Sequence, residues 1–221
     1  MTHGNSKIVT SNQHGPHDNL VATVRRHIAH PSRKPFSQHT LEAFAEAQQW
    51  LNARTGDIIL DSCCGTGEST AHLASMFPTA RVIGIDKSIH RLERHQQSSD
   101  NYLLVQADLN DFWRLANQAG WKLAQHFLLY PNPYPKSVHY KRRWHASPAL
   151  PDIVALGGTL TVRSNWKLYI DEFVLALSVF GINASTCPYA ADRAITAFER
   201  KYWASGQSSW QLHTHLPPHY S

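Results

Sequence analysis

Cysteine, acidic side chains and long apolar runs are all scarce in this chain of 221 residues. The three cysteines, Cys63, Cys64 and Cys187, are odd in number and two are adjacent, which excludes a disulfide framework and matches no zinc-site spacing. The first residues, 1–7, contain no apolar signal core, and no run approaches the roughly 20 apolar residues that span a bilayer. These absences predict a cytoplasmic protein in a reducing compartment.

Apolar bulk and positive charge are what the chain does contain. Hydrophobic residues make up 42% of it, with seven Trp and eight Phe, which is typical of a folded protein. Twenty-one Lys and Arg against 16 Asp and Glu give a net charge of +5, which favours an acidic partner such as nucleic acid. The fifteen histidines are scattered without cysteine or carboxylate partners at ligand spacing, so we predict no metal site.

Residues 1–36 differ in composition from the rest of the chain. They are polar, carry a net charge of +4 and are interrupted by Gly15, Pro16, Pro31 and Pro35. We predict a basic N-terminal arm with one short helix near residues 20–27, followed by a single domain over residues 37–221. The arm is interpreted either as a flexible tail or as a segment that contacts RNA.

From Gln38 onward, apolar residues recur first at helical spacing and then in short strands. Strands alternating with helices of 10–15 residues indicate crossover units and a mostly parallel sheet. The last two strands are interpreted as edge strands. The predicted strands are 58–60, 81–85, 102–106, 127–130, 159–162, 182–186 and 210–213. The predicted helices are 68–76, 88–97, 110–119, 147–156 and 167–179.

A glycine turn follows the first predicted strand, in the segment Asp61-Ser-Cys-Cys-Gly-Thr-Gly67. Gly65 and Gly67 allow a ligand to approach the backbone, and the next helix points its N-terminal amides at the same place. Asp86 lies 19 residues after Gly67, where a carboxylate can accept hydrogen bonds from both ribose hydroxyls.

The third strand runs into Ala107-Asp108-Leu109, which places an acid near an adenine amino group. A dinucleotide loop would have a third small residue, but Thr70 stands there, and Asp61 would repel a pyrophosphate. We therefore predict S-adenosylmethionine as the cofactor. Cys63 and Cys64 are interpreted as small residues that fit a tight turn.

A second motif follows the fourth strand: Pro131-Asn-Pro-Tyr-Pro-Lys136, then His139-Tyr-Lys-Arg-Arg143. It resembles the P-D-P-W-x-K…H-x-K-R-R signature of the bacterial tRNA (guanine-N7-)-methyltransferase family. Two later segments, 164–169 and 196–199, resemble that family's T-D-x-x-x-Y and T-x-F-E segments. The resemblance implies a Rossmann-like class I methyltransferase fold of the α/β class, with a mostly parallel twisted sheet, helices on both faces and an antiparallel C-terminal edge.

The resemblance also implies roles for individual residues. Asn132 stands where the family has the aspartate linked to the cofactor and to methyl transfer, and Glu199 is the remaining candidate catalytic carboxylate. The implied cofactor-binding residues are Asp61, Cys63, Gly65, Gly67, Asp86, Asp108, Leu109 and Asn132. The implied residues binding tRNA or another structured RNA are Lys136, Lys141, Arg142, Arg143, Asn165, Tyr169, Thr196 and Glu199.

Several departures from the signature leave alternatives open. Asn132 and Asn165 replace two aspartates, Tyr134 replaces the tryptophan, and Cys63 replaces the first glycine. Asn132-Pro-Tyr134 also resembles the N-P-P-Y motif of amino-group methyltransferases that act on RNA or protein. A third interpretation is an RNA-binding homologue that has lost catalysis. The leading hypothesis is methyl transfer to guanine N7 in tRNA.

Overall fold

A seven-stranded sheet forms the centre of the computed structural model, which describes residues 5–217. The strands, numbered along the chain, lie in the order β3-β2-β1-β4-β5-β7-β6. Strands β1 to β5 pair in parallel, whereas β7 is antiparallel to both of its neighbours. The strands are β1 Ile58–Ser62, β2 Arg81–Asp86, β3 Tyr102–Gln106, β4 Leu123–Leu129, β5 Gly158–Ser164, β6 Cys187–Tyr189 and β7 Ser209–Leu216.

Helices cover both faces of the sheet. The larger buried cluster joins one face to α1, α2, α5, α6 and α7, and the smaller one joins the other face to α3 and part of α8. Adjacent strand residues alternate between them: Ile59 belongs to the smaller cluster and Leu60 to the larger. The helices are α1 Leu20–Ala29, α2 Gln38–Asn52, α3 Glu68–Met76, α4 Ile89–Leu92, α5 Leu109–Gln118, α6 Leu150–Ala155, α7 Lys167–Ser178 and α8 Ala197–Ala204.

The predicted fold class is confirmed, and three details differ. The helix predicted over 88–97 ends at Leu92, because His95 leaves it to bond the Thr66 carbonyl and the Tyr102 hydroxyl at 2.9 and 2.7 Å. The strand predicted over 182–186 is irregular. Ile182 instead follows the turn that closes α7: its N–H donates to the Leu177 carbonyl at 3.2 Å and its side chain is buried, as after a helix C-terminus with a positive-φ glycine. Helix α8 was not predicted.

The N-terminal region packs against the domain. Leu20 and Val24 of α1 are buried in the larger cluster. Before them, residues 5–17, which we call the N-terminal strap, run past the chain that follows β4. Ser11 donates to the Pro135 carbonyl at 2.6 Å, and Ser6 accepts from the Gln207 side chain at 2.9 Å. The division of the chain into an arm and a domain stays a prediction.

Within residues 5–217, no helix is both long enough and apolar enough to cross a membrane.

Candidate active site

A cavity of about 700 Å³ lies at the carboxyl ends of β1 to β4. Open parallel sheets bind ligands at this edge, where the strand order reverses. Cys63, directly after β1, lies on the wall, β2 contributes Asp86, and the chain after β3 contributes Asp108 and Leu109. The wall also includes residues 130–134, Lys141 and Arg142, and two residues of α8; its other lining residues are Lys87, Arg91, Ala107, Asn110, Trp144, Ser147 and Pro148.

The glycine turn is shaped by its backbone angles. Cys63, Gly65 and Gly67 all have positive φ, at 63°, 63° and 76°. A Cβ on Gly67 would lie 2.6 Å from Leu104, whereas a Cβ on Gly65 would meet nothing within 4 Å. The turn is therefore packed tightly behind Gly67 and open beside Gly65, which suits a ligand lying close to the backbone.

Asp86 joins the glycine turn to the cavity. Its carboxylate accepts from the N–H groups of Gly65 and Ser88, at 3.1 and 2.8 Å, and lies 3.3 Å from the Arg91 guanidinium. Asp108 caps α5 by accepting from the Asn110 N–H at 2.8 Å, and its side chain is exposed at the cavity. The two acids predicted to hold ribose and adenine thus lie on the wall of one cavity.

Asp61 occupies a different position from these two acids. It is fully buried, does not line the cavity, and accepts from the hydroxyls of Ser69 and Thr70, both at 2.7 Å. Its other oxygen has no partner among the described residues. Burial raises its pKa to about 6. Asp61 therefore fastens the first turn of α3 behind the glycine loop, and its direct contact with the cofactor stays a prediction.

The surroundings of the two adjacent cysteines make their thiols unreactive. Burial raises the pKa of Cys63 to about 12 and raises that of Cys64 well above its usual range. Because the thiolate is the nucleophilic form, neither thiol is prepared for attack at neutral pH. Within the described residues, no three His, Cys, Asp or Glu side chains are grouped to hold a metal ion.

Residues 130–136, which we call the β4 loop, form the next wall. Tyr130 and Tyr134 have positive φ, at 51° and 43°, a strained conformation for residues other than glycine. Asn132 is exposed, and its amide oxygen accepts from the Tyr134 N–H at 3.3 Å. The Asn132 NH₂ group is left available to the cavity.

The predicted cluster of four cations divides in two. Lys136, Lys141 and Arg142 are exposed, and the last two line the cavity. Arg143 is fully buried and paired with Glu172. Its guanidinium also donates to the Tyr134 carbonyl, at 3.2 Å from Nε and 3.0 Å from Nη2. The charge of Arg143 is thus engaged beneath the β4 loop, and its contact with RNA stays a prediction.

The C-terminal motif residues are also structural. Glu199 is fully buried; one oxygen accepts from Tyr130 and Arg163 at 2.9 and 3.2 Å, and the other accepts from the Ile195 N–H at 2.7 Å. Thr196 caps α8 by accepting from the Glu199 N–H at 2.9 Å. Neither residue lines the cavity, and their contact with the substrate stays a prediction.

Two further predicted substrate residues also lie away from the cavity. Tyr169 is fully buried, and Asn165 donates to the Gln207 side chain at 2.8 Å. In their place the structure brings Phe198 and Tyr202 to the wall. The Thr-x-x-Glu capping pattern at 196–199 is the signal that could have revealed α8, and with it these two rings.

The sheet order, with an antiparallel strand between β5 and β6 and a glycine turn after β1, is that of class I methyltransferases. Among solved structures, the chain is similar to the 16S rRNA methyltransferase KamB, with a TM-score of 0.59 and 16% identity over 84% of this chain and 96% of that chain. The chain belongs to the methyltransferase family whose model, described as "Putative methyltransferase", matches residues 55–212.

Curated relatives agree with that family. The chain is 25% identical over 177 residues to a tRNA (guanine-N(7)-)-methyltransferase of Polaromonas naphthalenivorans (strain CJ2), covering 72% of this chain and 71% of the relative. It is 26% identical over 225 residues to a protein of the same name from Nocardia farcinica (strain IFM 10152), covering 90% and 77%. The predicted resemblance is thereby confirmed.

Proposed function

We propose that this chain transfers a methyl group from S-adenosylmethionine to N7 of a guanine in tRNA. The observation that carries the proposal is a single cavity, in a member of this methyltransferase family, that joins Asp86 and Asp108 to Asn132 and to the exposed cations Lys141 and Arg142. One end suits a nucleoside cofactor and the other a polyanion. Curated relatives of the chain bear the same activity in their names.

The cofactor fits the acids and the open glycine. A ribose carries two neighbouring hydroxyls, and the carboxylate of Asp86 can accept from both. Asp108 can accept from the adenine amino group, and the space beside Gly65 leaves room for the rest of the molecule. When bound, S-adenosylmethionine supplies a methyl group on a positively charged sulfur.

Methylation at guanine N7 requires positioning more than proton transfer. N7 carries an in-plane lone pair and no proton, so no general base is needed. The protein must hold N7 about 3 Å from the methyl carbon and in line with the leaving sulfur. The β4 loop would do this, supported by hydrogen bonds between the Tyr130 and Ser209 hydroxyls and from Arg143 to the Tyr134 carbonyl.

Asn132 favours guanine over an exocyclic amine. Guanine presents two acceptors, N7 and O6, on one edge. Because the Asn132 oxygen is engaged by the Tyr134 N–H, its NH₂ group is the free donor and can bond O6 beside the reacting N7. An exocyclic amine is itself a donor and would face another donor there, which disfavours the amino-methyltransferase alternative.

The exposed cations supply the RNA contact. Lys136 ends the β4 loop and Lys141 and Arg142 follow it, where phosphates beside the target nucleotide would lie. Contacts of this kind set the position of the RNA and not the choice of base. A tRNA enzyme with three free thiols also fits a reducing cytoplasm.

The test is incubation of the purified protein with labelled S-adenosylmethionine and total small RNA, followed by nucleoside analysis. We expect 7-methylguanosine. The Asn132→Asp variant should lower transfer, since it replaces the NH₂ donor to O6 with a carboxylate oxygen that repels that acceptor. An amino-methylated base would support the N-P-P-Y alternative. Cofactor and RNA binding without any methylated product would support lost catalysis.

A further inference from the structure

Helix α8 presents two aromatic rings to the cavity. Phe198 and Tyr202 are four residues apart, so they lie on the same helix face. Their ring centroids are 6.2 Å apart with planes inclined by 23°, and Tyr202 packs against Tyr130 at 5.6 Å. Both rings line the cavity. Phe198 nevertheless remains 43% exposed, so the folded chain does not bury the outer ring of this pair.

The helix is held rigidly from behind. Glu199, adjacent to Phe198, points into the protein and binds Tyr130, Arg163 and the Ile195 N–H. Arg200 makes two parallel hydrogen bonds to Glu68 of α3, at 2.8 and 2.9 Å. The buried Glu199 contacts anchor α8 to β5 and to the chain after β4, and the exposed Arg200 pair links it to the first residue of α3, directly after the glycine turn.

An aromatic ring and a cation lie elsewhere on the cavity wall. Tyr134 lines the cavity from the β4 loop, and the Arg142 guanidinium lies 5.8 Å from the centre of its ring. A cavity with exposed ring faces and nearby guanidinium groups is suited to a flat, aromatic and anionic ligand. A nucleotide taken out of an RNA stack has both properties.

We infer that Phe198 and Tyr202 form a stacking platform that receives the target nucleobase once it has left the RNA stack, an inference that rests on the proposed function. Enzymes that modify a base inside a structured nucleic acid draw it out and hold it against aromatic side chains. The exposed Phe198 ring supplies that surface, while the neighbouring Glu199 anchors the helix that carries it.

The experiment compares Phe198→Ala, Phe198→Leu and Phe198→Trp with Met76→Ala, which removes an exposed apolar side chain from α3 away from the cavity. We expect Phe198→Ala to lower kcat/KM for tRNA by about 5- to 150-fold, the value of one base–aromatic stack. The kcat/KM of Phe198→Leu should be as low as that of Phe198→Ala, and that of Phe198→Trp should be close to wild type, because stacking requires a ring face. Cofactor affinity and the salt dependence of tRNA binding should not change.

A wild-type rate in Phe198→Ala, or full recovery in Phe198→Leu, would overturn the platform. A binding measurement separates this failure from failure of the proposed function. A single-stranded RNA with one 2-aminopurine should lose fluorescence on binding the wild-type protein and lose clearly less with Phe198→Leu. If the wild type quenches the probe but forms no 7-methylguanosine, the proposed function fails and the platform stands. Equal quenching by the wild type and by Phe198→Leu would contradict the stacking platform.

Discussion

Arg143 and Glu172 form an ion pair that is withdrawn from solvent, and the same guanidinium donates two hydrogen bonds to the Tyr134 carbonyl. His145 donates to the same carboxylate at 2.9 Å, and Gln13 of the N-terminal strap donates to its other oxygen. The pair therefore connects α7, the strap and the strained β4 loop. Its position makes it a support for the loop that carries Asn132.

Glu172→Gln should destabilise the fold by about 3–5 kcal/mol, because it leaves the Arg143 charge buried without its counter-ion. It should also lower kcat while preserving cofactor affinity, since the β4 loop loses its support and the glycine turn does not. Denaturant unfolding measures the change in stability, a methyl-transfer assay measures kcat, and calorimetry measures cofactor affinity.

The matched control for this change is Asp171→Asn on the same helix. Asp171 pairs with Lys167 at the surface, so its loss should change stability by no more than about 1 kcal/mol. Equal effects of the two variants would contradict the supporting role of Glu172.

Asp61 predicts a particular pH dependence. Its pKa is about 6 in the folded chain and 3.8 as its ordinary value, so the folded state holds a proton that the unfolded state has released between those values. The free energy of unfolding therefore falls by about 3 kcal/mol as pH rises from about 4 to 6.

Asp61→Asn removes this titration while keeping an acceptor for Ser69 and Thr70. Relative to the wild type, the variant should gain about 3 kcal/mol of stability between pH 4 and pH 7. Unfolding curves at several pH values measure this difference directly. Parallel pH profiles for the two proteins would show that Asp61 has an ordinary pKa in the fold.

Asp86→Ala should weaken binding of the demethylated cofactor product by about 10- to 100-fold, the loss of a hydrogen bond to a charged group. The variant also frees the Gly65 N–H from its acceptor. Asp100→Ala, an exposed acid outside the cavity, is the control and should bind as the wild type does. Unchanged affinity in Asp86→Ala, measured by calorimetry, would place the cofactor elsewhere.

Binding of tRNA should weaken as salt rises. Changing Lys141 and Arg142 together to Gln should flatten the log–log slope by about 1.4–1.8, the counter-ions released by two phosphate contacts. Arg54 and Lys122, changed in the same way, are a control at the opposite edge of the sheet, just before β1 and β4. If the wild type and the variant at Lys141 and Arg142 show the same log–log slope, these two cations do not contact phosphates and are simply solvated.

The strands near the glycine turn were predictable because each is a short apolar run that ends in polar residues. The sequence around Asp86 and Asp108 accordingly predicted two acids that the structure brings to one cavity. Helix α8 was missed because its sequence carries several charges and no regular apolar stripe. Its cap at Thr196 was the only local signal.

The burial of Arg143 was not predictable from its neighbours. It stands in a basic run with Lys141 and Arg142, and only the packing of α7 brings Glu172 beneath it, 29 residues later. Glu199 illustrates the same point: its partners Tyr130 and Arg163 come from two other parts of the chain. Local sequence indicates which residues carry charge, whereas long-range packing decides which charges face solvent.

The N-terminal strap has a consequence for the order of folding during synthesis. Ser6 bonds Ser205 and Gln207, partners that lie 199 and 201 residues further along the chain. The ribosome therefore makes Ser6 about 200 residues before it makes these partners. Since contacts distant in sequence form late, we expect the strap to be fastened only after residues 205–207 have left the ribosome. A nascent chain could thus hold a complete glycine turn well before the strap, the β4 loop and α8 are assembled around the proposed base site.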